Sequence, residues 1–289
     1  MYERLRNCPI CKNTGFQKYL VCKDHSVSNE SFTLTKCSEC ELVFTNPRPN
    51  KKSLPEYYQS EDYISHTDKG NNLINLIYKC VRRYTIRKKF KLLRKYSSGK
   101  KLLDYGCGTG DFLNYVSRKN LQTFGYEPSK VVQEILKIKK INFVTNLKAG
   151  KAQYDIITAW HVIEHVPKPK KAIKLLRKKL TDSGTLFIAV PNIKSFDADY
   201  YQENWAGYDV PRHLYHFSRE SFGRLIKKTK FKIIDTLPMK FDSYYASLLS
   251  EKYVNSKIYF FKALKIRKIS NKKAKKTGEF SSLIYVLKK

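Results

Sequence analysis

Three groups of residues in this 289-residue chain have types and spacings that could do chemistry. The first is Cys8-x-x-Cys11 with Cys37-x-x-Cys40. Each pair can offer two thiolates from one tight knuckle, and the four together fill the tetrahedral sphere of Zn²⁺, leaving no open position for catalysis. The loop between the pairs is slightly longer than the usual range, and a hairpin over 16–20 and 32–35 would absorb the excess. Cys22 and His25 lie inside that loop and are expected not to ligate. The second group is Asp104-Tyr105-Gly106-Cys107-Gly108-Thr109-Gly110, where an apolar run turns through glycines into a helical pattern at Asp111. Glycine leaves no Cβ between chain and ligand, and the helix that follows points free N–H groups at whatever sits on the turn. Glu127 ends a second apolar run about 20 residues later and can accept two hydrogen bonds from a ribose diol. The spacing is not Gly-x-Gly-x-x-Gly and no Gly-Lys-Ser/Thr cradle is present, so dinucleotide and ATP readings both fall. The third group is His161, Glu164 and His165, together with Trp205, Arg212, His213 and His216. Arg212 can fork to an anion, His213 can take a proton near neutral pH, and Trp205 can stack on a ring. Arg212 and His213 could equally brace a loop through hydrogen bonds.

Elements that alternate strand and helix must position these groups. Strands are expected to end at Asp104 and Glu127, with a helix through Ser117 between them and Pro128 in the first turn of the next helix. A short strand at 141–145, strands at 154–159 and 185–190, and a helix at 172–180 continue the alternation. Ser218 caps a helix reaching 228, with Glu220 and Ser221 in its first turn. Strand 231–237, a helical insertion over 242–269 and a strand at 282–287 complete a doubly wound α/β sheet. The lysine-rich stretch 272–276 reads as a mobile solvated loop. Upstream, 51–72 is a polar linker carrying Tyr57, Tyr58 and Tyr63, either a surface connector or a source of aromatics for the pocket. From 73 to 96, Leu73, Ile77, Val81, Tyr84, Phe90 and Leu93 recur at helical spacing. That helix is expected to pack its stripe on the sheet, with contact to a membrane surface as the alternative. The divisions are 1–50, 51–98 and 99–289, the last with an insertion at about 240–279.

Asp-Tyr-Gly-Cys-Gly-Thr-Gly at 104–110 resembles the cofactor motif of class I S-adenosylmethionine-dependent methyltransferases. The resemblance implies a Rossmann-like, mostly parallel seven-stranded sheet whose last strand enters antiparallel between strands five and six. It also implies that Asp104, Tyr105, Gly106, Gly108 and Gly110 wrap the methionine part of S-adenosyl-L-methionine, with Glu127 and Pro128 at its ribose and Trp160 and His161 beside it. Asn146 and Leu147 are the local candidates to bracket the adenine. The exit from the cysteine unit, 42–49, resembles the zinc-ribbon units that precede many sugar-modifying and small-molecule methyltransferases. The segment 204–218, with its Pro-Arg-His-Leu, resembles a subfamily insertion above strand five. Methyl transfer to a sugar, nucleotide-sugar or glycoconjugate precursor is the expected activity. His161 or His213 would serve as base, and Trp205, Arg212 and His216 would lie on the substrate. Glu164-His165 resembles the end of the Glu-x-x-Glu-His motif with which some relatives bind a divalent metal. Here His161 replaces the first Glu, which argues against Mg²⁺ because that ion prefers oxygen ligands.

Composition sets the outer bounds. No apolar run approaches the ~20 residues of a membrane span, and the chain runs directly into Cys8, leaving no room for a leader. Seven cysteines, four of them paired at metal-ligand spacing, point to reduced thiols and a cytoplasmic protein. The formal charge of +32 is spread over nearly every helix. It reads as lysine bias with a modest attraction for anionic substrates. Two further readings stay open: an RNA methyltransferase, and a non-catalytic zinc-ribbon module on a degenerate methyltransferase core.

Overall fold

The computed structural model describes residues 1–58, 73–150 and 152–289, the stretch 73–80 by its backbone alone. Tyr63 of the aromatic linker therefore lies outside the described residues, as do the side chains of Leu73 and Ile77. The chain begins with β1 (Tyr2–Glu3), β2 (Phe16–Lys23), β3 (Ser31–Cys37), β4 (Val43–Thr45) and β5 (Arg48–Pro49). Strands β2, β3 and β4 form an antiparallel meander, and β5 returns to pair with β1. The hairpin is longer than its apolar residues alone suggest because Asp24 closes its turn. The Asp24 carboxylate accepts the N–H groups of Ser26, Val27 and Ser28.

The core opens with α1 (Leu73–Tyr96), β6 (Lys101–Tyr105), α2 (Asp111–Ser117), β7 (Gln122–Tyr126), α3 (Lys130–Ile138) and β8 (Phe143–Val144). It continues through β9 (Tyr154–Trp160), α4 (Pro169–Lys179), β10 (Leu180–Pro191), α5 (Phe196–Tyr201), β11 (Tyr215–His216) and α6 (Arg219–Lys227). It ends with β12 (Lys232–Pro238), α7 (Asp242–Tyr253), α8 (Tyr259–Thr277) and β13 (Ser282–Lys288). Seven strands make one sheet in the order β12-β13-β10-β9-β6-β7-β8. Only β13 runs antiparallel to its neighbours. Leu102, Leu103, Ile156, Ile157, Leu186, Phe187 and Ile188 are fully buried, as continuous apolar runs must be when helices cover both faces of a sheet. Parallel pairing sets Asp104 opposite Gly125 and Thr158, which gathers the functional strand ends at one edge.

The structure adds to or departs from the sequence expectation at several places. Pro128 lies outside its helix, because Ser129 is the N-cap and accepts the Val132 N–H. The insertion is a hairpin of two helices. The stretch 272–276 is the last part of α8, since lysine and alanine favour helix and the stop comes only at Gly278, which takes a left-handed φ of 80°. The sheet of the cysteine unit takes a strand from the core: β11 pairs with β4 and completes a four-stranded sheet ordered β11-β4-β3-β2.

Candidate active site

The glycine turn is shaped by its backbone. Gly106, Gly108 and Gly110 all have positive φ, and a Cβ at Gly106 would strike Val162. A Cβ at Gly108 would meet nothing within 4 Å, so the loop is open above that residue. Gly106 N–H donates to the Tyr126 carbonyl at 2.7 Å, locking the ends of β6 and β7 together. Glu127 accepts from Gly108 N–H at 3.2 Å and from Ser129 N–H at 3.0 Å. Its carboxylate therefore borders the turn, with further lone pairs available. Asp104 is buried and accepts from the Thr158 hydroxyl at 2.6 Å; burial raises its carboxyl to about 6. Tyr105 stacks on Tyr126 with centroids 5.1 Å apart. At the start of α2, Asp111 binds Arg82 of α1, Thr109 of the turn and Lys139 after α3, which fixes the turn from three sides. Of the two adenine candidates, Leu147 is buried and Asn146 caps its own turn.

Beyond β9, Trp160 packs edge-on against Phe112, and the Lys89 ammonium stands 4.5 Å over its ring. The Trp160 Nε1 is buried and finds no acceptor among the described residues. His161 takes a left-handed φ of 55°. Its Nε2 lies 2.9 Å from Asp242 Oδ2, and its Nδ1 lies 3.4 Å from Glu164 Oε1. Burial alone would depress the imidazolium, but Asp242 and Glu164 outweigh it and hold the pKa up at about 9. A histidine protonated at neutral pH cannot accept a proton, so the geometry opposes the base role expected of His161.

Glu164 is fully buried, and neither of its oxygens has a hydrogen-bond partner among the described residues. Glu164, His165 and His213 each bring one ligand atom within 4.8 Å of the others. His165 Nδ1 lies 3.1 Å from the Arg212 carbonyl, and His213 Nδ1 lies 2.9 Å from the Gly207 carbonyl. A carbonyl only accepts, so each Nδ1 carries a proton, and His213 Nε2 lies 3.9 Å from Asp209 Oδ2. Tyr58 of the upstream linker also reaches His165 Nδ1 at 3.1 Å.

The remaining expected substrate residues are structural. Trp205 is buried and donates to Asp197 at 2.9 Å, so its ring offers no face to a ligand. Arg212 spends its guanidinium on Asp24, Asp209 and the Tyr57 carbonyl. It clamps the 204–218 segment to the β2–β3 hairpin instead of meeting an anion. His216 is buried against the Thr45 hydroxyl at 3.0 Å, and burial depresses its pKa. Sequence reasoning did not single out Lys89 or Asp242. Lys89 lies on the inner stripe of α1 beside Ile86, Phe90 and Leu93, a signal that was readable. Asp242 carried none, because its partner His161 lies far back along the chain, beyond several strands and helices of the core.

The four cysteines converge. Each knuckle closes the same way, with Lys12 N–H on the Cys8 carbonyl and Glu41 N–H on the Cys37 carbonyl. Lys12 and Glu41 both adopt a left-handed φ. The four sulfurs lie within 4.8 Å of one another, with Cys8–Cys40 at 3.3 Å and Cys11–Cys37 at 3.5 Å. Thiolates about 2.3 Å from a tetrahedral Zn²⁺ stand about 3.8 Å apart, so this donor set fits that ion. Cys22 packs in a separate apolar cluster, its thiol pushed up to about 12 by burial, and His25 stacks on Tyr253.

A mostly parallel seven-stranded sheet with one antiparallel strand, a glycine turn after its β6 and an acid after its β7 define a Rossmann-like methyltransferase fold. Residues 79–236 match a family model described as "Methyltransferase domain", and the chain belongs to that family. It is 28% identical over 111 residues to a ubiquinone biosynthesis O-methyltransferase of Vibrio cholerae, covering 34% of this chain and 45% of the relative. A Yersinia enterocolitica protein of the same name is 30% identical over 104 residues, covering 32% and 43%. The chain thus spans about half the length of the curated relatives it matches. In structure it resembles magnesium protoporphyrin IX methyltransferase from Synechocystis PCC 6803 with bound SAH. The TM-score is 0.53 at 13% identity, covering 82% of this chain and 99% of that one. Among the described residues, no helix is long and apolar enough to cross a membrane.

Proposed function

We propose that this protein is an S-adenosylmethionine-dependent methyltransferase acting on a small molecule, and that its acceptor is a sugar, nucleotide-sugar or glycoconjugate precursor. The observation that carries the reading is the open glycine turn bordered by the Glu127 carboxylate. Relatives named as ubiquinone biosynthesis O-methyltransferases support a small-molecule acceptor. When bound, the cofactor supplies a methyl group on a sulfonium. The turn at 104–110 binds its methionine part, Glu127 accepts from its ribose hydroxyls, and Trp160 walls the cleft. His213 Nε2, beside Asp209, takes the acceptor's proton. The His161 imidazolium, held by Asp242 and Glu164, positions the segment after β9 and contributes a fixed positive charge. The cysteine quartet holds a structural Zn²⁺ that braces the sheet shared by β4 and β11.

A second reading of one part of the site has its own support. Buried Glu164, whose oxygens accept no hydrogen bond among the described residues and face only the His161 imidazolium at 3.4 Å, lies next to His165 and His213 and suits a divalent ion that accepts nitrogen as well as oxygen. Metal analysis of the purified protein separates the two. One zinc per chain leaves His213 as base, and a second tightly held ion makes it a ligand.

The activity is tested by calorimetry with S-adenosylmethionine, followed by transfer of a labelled methyl group to pooled nucleotide sugars and glycolipid precursors. Heat of binding and label in one pool are expected. The absence of cofactor binding would overturn the methyltransferase reading, and binding with label only in other acceptor classes would overturn the sugar assignment.

A further inference from the structure

The residues that α7 and α8 bury are mostly small. Ser243, Ala246, Ser247 and Ser250 of α7 are buried, as are Ala263, Ser270 and Ala274 of α8, where Ile266 is the one large apolar residue covered. Toward the turn that joins the helices, four large apolar residues are exposed. Val254 is 46% exposed, Ile258 56%, Phe261 72% and Leu264 37%. Ile258, Phe261 and Leu264 follow one another at three-residue steps and so line one ridge. Single exposed apolar side chains are ordinary on a protein surface, but a contiguous group of them marks an interaction site.

The charge around the ridge says what it meets. Every charged residue from Lys252 to Lys276 is a cation, and the next acid is Glu279. Lys257, Lys262, Lys265 and Lys268 flank the ridge and are exposed. We propose that this tip docks on a lipid bilayer bearing anionic headgroups, with Ile258, Phe261 and Leu264 entering the acyl boundary and the lysines meeting lipid phosphates. Cationic helices with large apolar side chains on one face lie in that interface, and polybasic segments are drawn to anionic leaflets. A nucleic acid would use the cations and could stack on Phe261, but it stacks successive bases on several rings, and Val254, Ile258 and Leu264 are aliphatic. A second copy of this chain would bring a like-charged face against it. The docking surface is also joined to the active site, because α7 begins at Asp242, the partner of His161. An acceptor held at a membrane would then be met by the same hairpin that borders the cleft.

The test uses the full chain without cofactor, so its outcome is independent of the methyltransferase reading. The protein is sedimented with vesicles of phosphatidylcholine containing phosphatidylglycerol, and with phosphatidylcholine alone. Binding to the anionic vesicles and little to the neutral ones is expected. The combined variant Ile258→Ser, Phe261→Ser, Leu264→Ser should weaken the anionic binding about tenfold or more, with helix content and melting temperature unchanged. Independently, a Phe261→Trp variant should shift its emission to the blue on phosphatidylglycerol vesicles, which reports insertion even if the triple variant folds poorly. No binding to anionic vesicles overturns the proposal, as does a triple variant that is folded and binds like the parent. Tighter binding to a single-stranded RNA than to the vesicles, unaffected by the three serines, would assign the surface to nucleic acid instead.

Discussion

His161 Nε2 stands 2.9 Å from Asp242 Oδ2, so the residue that follows β9 is ion-paired to the first residue of the helical insertion. The sheet edge and the insertion are thereby one structural unit. Replacing Asp242 with Asn leaves the His161 imidazolium facing Glu164 alone. We expect a loss of about 2 kcal/mol in urea unfolding at neutral pH, the usual size of a hydrogen bond to a charged group. Unchanged stability would show that the pair does not hold the hairpin.

Asp104 gives the fold a pH dependence. Its folded pKa is raised to about 6 from an ordinary 3.8, chiefly by burial. The folded state therefore binds the proton more tightly than the unfolded chain, and stability falls as pH rises from about 4 to about 6. Asp104→Asn removes that slope while keeping an oxygen to accept from Thr158. Relative to the parent, the variant should gain about 3 kcal/mol over this window and nothing further above it. A difference that does not change with pH would contradict the buried carboxyl.

Arg212 is predicted to be a brace. Arg212→Met leaves Asp24 and Asp209 without their shared cation and should cost about 3–5 kcal/mol. Arg212→Lys should not rescue it fully, because an ammonium cannot serve both carboxylates and a carbonyl as a planar fork does. Cofactor affinity measured below the melting transition should match the parent. A folded, stable Arg212→Met that loses only acceptor binding would restore the anion role.

Glu127→Ala should lower affinity for S-adenosylmethionine about tenfold or more in calorimetry, since each hydrogen bond to a charged group is worth about 1.5–3 kcal/mol. His213→Gln should leave that affinity near the parent value and reduce turnover by about 100-fold, the lower end of general-base contributions. If both variants bind and turn over like the parent, the site lies elsewhere.

Removing the metal from the cysteine quartet should lower the melting temperature by loosening β4, and through it β11 and the 204–218 segment. A Cys37→Ser, Cys40→Ser variant should release no zinc to a chromogenic chelator after denaturation. Zinc release equal to the parent would place the ion on other residues.

Much of the fold was legible because its signals are local. Apolar runs marked β6, β7, β9 and β10, and Ser218 announced α6 as its cap, where the structure adds a capping box with Ser221. Boundaries were less so: β8 shrank to Phe143–Val144 and β10 begins at Leu180, since strand ends depend on which neighbour supplies hydrogen bonds. The break of the insertion at 254–258 leaves only weak local signals, with no proline or glycine to mark it.

The sequence by itself determined the glycine turn and the acid after β7, because left-handed backbone and strand-end acids are set by residue type and by spacing along one chain. It likewise determined the cysteine pairing, since each knuckle closes on itself within five residues. Only the tertiary structure decided the neighbours of the histidines and of Arg212. Those are Asp242, Asp209 and Asp24, the buried Glu164, and backbone carbonyls such as that of Gly207. A charge takes its character from what the fold packs within a few ångströms of it, and residue type alone carries no record of those neighbours.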